Sequence, residues 1–132
     1  MRIVALAAIG AAAFMSEPAW AQNEACQAVE GAKVVSPDGT YLGKITSNLA
    51  SDSIFNKFNP YGNSFSSKSI WNDFGPYGGD FNSKSARNDM ASEPPLLIKG
   101  DTLIGYLSTN KAKRGAISPM LLGIVCYDYE PD

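Results

Sequence analysis

A 16-residue unit repeats in tandem at the centre of the chain, and it limits the fold more than any other feature. Ser53-Ile54-Phe55-Asn56-Lys57-Phe58-Asn59-Pro60-Tyr61-Gly62-Asn63-Ser64-Phe65-Ser66-Ser67-Lys68 is followed by Ser69-Ile70-Trp71-Asn72-Asp73-Phe74-Gly75-Pro76-Tyr77-Gly78-Gly79-Asp80-Phe81-Asn82-Ser83-Lys84, with ten of sixteen positions identical. A third copy opens as Ser85-Ala86-Arg87-Asn88-Asp89-Met90 and breaks at Pro94-Pro95. Standard solenoid units have periods of 20 residues or more. Each unit here holds a turn signal, Asn59-Pro60-Tyr61-Gly62 or Gly75-Pro76-Tyr77-Gly78, and a Ser placed to cap a single helical turn. The expectation is one short helical or 3₁₀ turn, one β-turn and an extended link per unit, with Ile54, Phe58, Phe65, Ile70, Phe74 and Phe81 pointing inward. Regular large apolar residues set the segment apart from a disordered linker.

The repeat is flanked by a second, wider duplication. Leu42-Gly43-Lys44-Ile45-Thr46-Ser47-Asn48 matches Ile104-Gly105-Tyr106-Leu107-Ser108-Thr109-Asn110 at a constant offset of 62, and Val34 and Val35 fall on Leu96 and Leu97. Each copy reads as strand, turn and strand: the first turns at Ser36-Pro37-Asp38-Gly39, the second at Lys99-Gly100-Asp101. A lone hairpin is marginal in water, so the two are expected to pair into one sheet. Ser118-Pro119 is a helix start signal and predicts a short C-terminal helix to about Val125, packing Leu121, Leu122 and Val125 on the sheet; a strand over residues 125–129 is the alternative. Residues 22–30 suit either a short helical turn or an extended arm. The fold class is α+β: a small four-stranded antiparallel sheet from two duplicated hairpins, joined by the 16-residue repeats, with a short C-terminal helix and one disulfide.

The first 21 residues read as a cleaved secretory signal: Arg2, an apolar run over residues 3–14, and Ala19-Trp20-Ala21 before Gln22. The run is short for a membrane span, so a single secreted or periplasmic domain over residues 22–132 is expected. Cys26 and Cys126 are the only cysteines, and an oxidising compartment would let them pair. The chain has 11 basic and 13 acidic residues and no histidine. That balance gives no electrostatic footprint for nucleic acid, and the missing imidazole removes the commonest general base and metal ligand. The basic cluster Lys111, Lys113 and Arg114 reads as a solvated turn.

The pattern Ser-Ile-x-Asn-x-Phe-x-Pro-Tyr-Gly, flanked by Leu-Gly-x-Ile-Thr-x-Asn and Ile-Gly-x-Leu-Ser-x-Asn, resembles a group of small secreted bacterial proteins with tandem Asn/Tyr/Gly repeats. The resemblance covers about residues 39–110. It implies a bacterial envelope or extracellular protein and transfers no catalytic residues.

Asn56, Asn72 and Asn88 share one phase of the repeat, and their amides are expected to bond the backbone of neighbouring turns; a shared polar pocket is the functional alternative. Tyr61, Trp71 and Tyr77 are the candidates for an aromatic binding face, with core as the bland reading. Asp73, Asp80 and Asp89, with Asn72, Asn82 and Asn88, offer oxygen atoms to calcium, but no calcium-loop spacing is present, so no metal or cofactor is assigned. Ser108-Thr109-Asn110-Lys111 matches Ser-x-x-Lys without its companion motifs. No nucleophile with a base is visible. The sequence therefore points to a non-catalytic structural or binding protein of the envelope, with cell-wall glycan or an envelope protein as partner; a glycan-binding module and a small carboxylate-dependent wall hydrolase are the alternatives.

Overall fold

A computed structural model describes residues 19–130, with side chains from Glu24 onward. Of the expected signal segment, residues 1–21, residues 1–18 lie outside them. Helix α1 (Ala19–Val29) leads into β1 (Lys33–Val35) and β2 (Tyr41–Lys44); the repeats follow, then β3 (Leu96–Lys99), β4 (Thr102–Leu107), β5 (Ala116–Ile117) and α2 (Pro119–Cys126). Among the described residues the class is α+β, with two helices and one disulfide. Of the two forms open for residues 22–30, the helical one is present, and it crosses the expected cleavage point after Ala21.

The two hairpins do share one sheet, in the order β2-β1-β3-β4-β5. Strand β1 pairs with β3 antiparallel, Val34 opposite Leu97 and Val35 opposite Leu96, so the duplicated strands lie side by side. The sheet is five-stranded and mixed, not four-stranded and antiparallel: β5 adds to β4 in parallel, Tyr106 opposite Ala116 and Leu107 opposite Ile117. Two residues are too few to show a period of 2, and Ala116-Ile117 runs straight into the apolar helix, which hides it in sequence.

The repeat segment is a continuous chain of β-turns, and the expected helical turns are absent from it. Backbone bonds link Asn56 N–H to Ser53, Asn59 N–H to Asn56, Asn63 N–H to Asn59, Ser66 N–H to Asn63 and Ser69 N–H to Ser66. Steps of 3, 3, 4, 3 and 3 residues make the 16-residue coil, and the next coil repeats them through Asn72, Gly75, Gly79, Asn82 and Ser85. The cause is chemical. Most turns open on a Ser or Asn whose side-chain oxygen accepts the N–H two residues on: Ser53 from Phe55 (2.9 Å), Asn56 from Phe58 (2.9 Å), Asn63 from Phe65 (2.8 Å), Ser69 from Trp71 (2.9 Å) and Asn72 from Phe74 (3.0 Å). Such side chains compete with helical hydrogen bonds and hold the chain in turns.

The coils stack on the buried face of the sheet. Ile54, Ile70 and Ala86, in phase, are fully buried with Val34, Leu42, Ile45, Leu97 and Leu107. The glycines of the Pro-Tyr-Gly corners fit because backbone lies against them. A Cβ at Gly62 would stand 2.0 Å from the Asn56 carbonyl oxygen, and one at Gly78 would stand 2.5 Å from those of Asn72 and Ile70. Phe55 closes the other side, stacked on Tyr127 at 4.7 Å. The Cys26–Cys126 disulfide joins α1 to α2 across 100 residues. In α2, Ser118 caps the first turn by accepting from Leu121 N–H at 3.3 Å. Only Leu122 of the three expected contacts is buried; Leu121 and Val125 are exposed.

Candidate functional site

Four of the six residues expected from sequence to point inward do not, and the error locates the site. Ile54 and Ile70 are inside, but Phe58, Phe65, Phe74 and Phe81 all stand in solvent, Phe58 at 98% and Phe74 at 96% exposure. Leu49 and Met90 are exposed to a similar degree. These six residues fall on two phases of the repeat, Leu49, Phe65 and Phe81 on one and Phe58, Phe74 and Met90 on the other. They form two parallel rows along the stacked coils.

Three asparagines fasten the rows to each other. Asn56 Oδ1 accepts from Phe58 N–H while its Nδ2 donates to the Ala50 carbonyl at 2.9 Å, beside Leu49. Asn72 does the same between Phe74 N–H and the Ser66 carbonyl (3.1 Å), beside Phe65. Asn88 links Met90 N–H to the Asn82 carbonyl (2.9 Å), beside Phe81. Each amide thus clamps one apolar pair: Leu49 with Phe58, Phe65 with Phe74, Phe81 with Met90. Leu49, Asn56 and Phe58 line a common surface depression. Both ends of the Asn56, Asn72 and Asn88 amides are engaged with the backbone of neighbouring turns, the structural role expected for them.

Of Tyr61, Trp71 and Tyr77, the candidates for an aromatic binding face, the core reading holds for two. Trp71 is 3% and Tyr77 8% exposed, and both belong to the core. Trp71 Nε1 donates to the Ile54 carbonyl, and Tyr77 reaches the first hairpin, its hydroxyl 2.9 Å from Asp38 Oδ2 and 3.1 Å from Thr40 Oγ1. Tyr61 is half-buried, edge-on to Tyr41 at 5.4 Å. The hydrogen bonds from Thr40 and Tyr77, with Lys84 at 3.3 Å, hold the Asp38 carboxyl well below the usual range. Burial, with the bond to Asp52 at 2.7 Å, pushes the Tyr41 phenol well above its ordinary value.

The remaining candidates do not assemble into a centre. Asp73 is ion-paired with Arg87. Among the described residues no three His, Cys, Asp or Glu side chains come together to hold a metal. Ser108 is buried and its Oγ accepts from Asn110 N–H at 3.0 Å, a turn role. Lys111, Lys113 and Arg114 rim a depression of about 860 Å³ that also has Asp89 on its wall. Among the described residues no helix is long and apolar enough to cross a membrane.

The recurrence of Ser, Asn or Gly at every third or fourth position is a sequence signal for turns rather than helix, but the burial that separates the inward Ile phase from the outward Phe phases comes only from the fold. Comparison with known proteins found no match: no protein family fits the chain, and no curated protein or solved structure is significantly similar to it.

Proposed function

We propose that this is a non-catalytic, secreted or periplasmic binding protein of the bacterial envelope or exterior, and that the double apolar row is its contact surface. One observation carries the reading: six large apolar side chains, spaced by the repeat, are clamped outward while the Ile and Trp residues of the same repeat fill the core. A phenylalanine presents about 150–250 Å², so the four phenylalanines alone offer on the order of 800 Å². A monomer's largest apolar patch is ordinarily about 300–600 Å² and is often functional. The disulfide supports export, since such bonds persist in oxidising compartments.

The chemistry of the row favours an apolar partner over a glycan. Sugar recognition draws on rings with a polar edge, and of the three candidate rings with such edges Trp71 and Tyr77 are buried with those edges bonded inside, which leaves only the half-buried Tyr61.

In-cell photo-crosslinking tests the reading. A photoreactive phenylalanine at position 74 should give a specific macromolecular adduct in the cells that make the protein, whereas one at Ser67, an exposed position outside the rows, should not. No adduct at position 74, or equal adducts at both, would overturn it.

A further inference from the structure

We propose that the basic loop after β4 forms a second binding site, which takes a phosphate group borne by a larger molecule. Lys111, Lys113 and Arg114 line the depression of about 860 Å³ with Thr109, Ser118 and Asp89, and none of the six row residues is on its wall. Three cations thus gather within four residues of a chain whose acidic residues outnumber its basic ones, 13 to 11. Among the described residues none of the three has an ion pair or a side-chain hydrogen bond. Lys113 stands beside a ring, its Nζ 5.9 Å from the centre of Tyr106. Against the single carboxylate of Asp89, the wall carries an excess of positive charge.

The fold does not need these cations, and the hairpin duplication supplies the comparison. At the offset of 62, residues 111–114 correspond to Leu49, Ala50, Ser51 and Asp52, with no cation among them. Both segments are turns of similar make. Ser47 Oγ accepts from Leu49 N–H at 3.2 Å, and Ser108 Oγ accepts from Asn110 N–H at 3.0 Å. Ala50 N–H donates to the Ser47 carbonyl, and Lys113 N–H to the Asn110 carbonyl. A turn of this kind therefore closes without charge, and the three cations are free for another role.

The loop is held in place by its own bonds. Asn110 repeats the clamp of Asn56, Asn72 and Asn88: its Oδ1 accepts from Ala112 N–H at 3.0 Å, and its Nδ2 donates to the Ala91 carbonyl at 2.9 Å. Thr109 N–H donates to the Ala86 carbonyl, Ser108 N–H to that of Ile117 and Tyr106 N–H to that of Gly115. Little backbone freedom remains to be lost on binding. Thr109 Oγ1 is buried without a hydrogen-bond partner. Such groups are rare and call for an explanation, which a ligand oxygen supplies. The donor set suits phosphate. A guanidinium can bond two oxygens of one phosphate while lysines act as point charges beside it, and a phosphate monoester carries a charge of about −1.5 to −2 at neutral pH. Pockets of about 300–1,000 Å³ hold whole small molecules, so the depression has room for the body that bears the phosphate.

The test is an amide-resolved NMR titration of the oxidised protein with glycerol 3-phosphate at constant ionic strength, with sodium acetate as the control anion. The expected result is saturable shifts centred on residues 108–118. Lys111→Gln with Arg114→Gln should weaken binding at least about tenfold, with the rest of the spectrum remaining that of the folded protein. Asp89→Asn removes the opposing charge and should tighten binding by roughly two- to fivefold, a gain that a purely structural role does not produce. No saturable shift in the loop, shifts of equal strength with acetate, or binding that survives the Lys111/Arg114 replacement overturns the proposal. Once glycerol 3-phosphate binds, vesicles of phosphatidylcholine with phosphatidic acid identify the bearer. Co-sedimentation that the Lys111/Arg114 variant loses assigns the site to a phospholipid headgroup; co-sedimentation absent, or unchanged in the variant, assigns it to a soluble phosphorylated molecule.

Discussion

The indole N–H of Trp71 donates to the backbone carbonyl of Ile54 at 2.7 Å, seventeen residues back in the chain. One coil later, Arg87 Nε makes the equivalent bond to Ile70 at 2.9 Å, with its guanidinium 5.9 Å from the Trp71 ring centre. The truncated third copy, where Ala and Arg replace Ile and Trp, therefore keeps the inter-coil bond. Trp71→Ala removes both the bond and a buried ring and should destabilise by about 3–5 kcal/mol. Trp71→Phe keeps most of the ring, leaves the Ile54 carbonyl unpaired and should cost about 1–3 kcal/mol. Urea denaturation separates the two.

Gly62→Ala and Gly78→Ala should each destabilise by about 3 kcal/mol, the upper part of the overpacking range. The obstacle at both sites is backbone, which has no rotamer by which to move aside. Denaturation midpoints of the single variants check this.

The hairpins, the C-terminal helix start and the cysteine pair were legible in sequence because each rests on a simple signal: Pro-Asp-Gly in a turn, Ser-Pro at a helix start, and two cysteines with no other to pair with. The direction of the phenylalanines was not. Ile54 and Phe58 stand four residues apart, which in a helical turn puts them on one face. The Ser53 and Asn56 side chains instead close two successive β-turns between them, and Phe58 swings outward. Trp71 and Tyr77 are candidates for a binding face in sequence because a ring with a polar edge suits an amphipathic ligand, but those edges find Ile54 and Asp38 inside the fold. The strand β5 depends on pairing with β4 and has almost no local signature.

Reduction of the Cys26–Cys126 bond opens a loop of 100 residues. The chain-entropy value for such a loop is about 4–5 kcal/mol, so the reduced protein should unfold at a clearly lower temperature. Calorimetry with and without a thiol reductant measures the difference.

Two pH effects follow from the titrating groups. Asp38 is depressed in the fold by its bonds to Thr40 and Tyr77, so its contribution is present above the unfolded value of about 3.9 and is lost as pH falls below it. Tyr41 and Tyr127 are raised, by burial first and then by Asp52 and Glu30 respectively. Their contributions hold below the unfolded value of about 10 and fade as pH rises beyond it. Thermal midpoints across the pH range should drop at both ends, and Asp38→Asn should flatten the acid limb.

The division of the repeat into a buried set and an outward set is tested most directly by replacing Phe58, Phe65, Phe74 and Phe81 with serine together and measuring the thermal midpoint at high dilution, where association adds no stability. Exposed positions of this kind each change stability by about 0.5 kcal/mol or less, so the variant should stay folded with a midpoint close to wild type. An unfolded variant, or one as unstable as Trp71→Ala, would place the phenylalanines in the core and contradict the account.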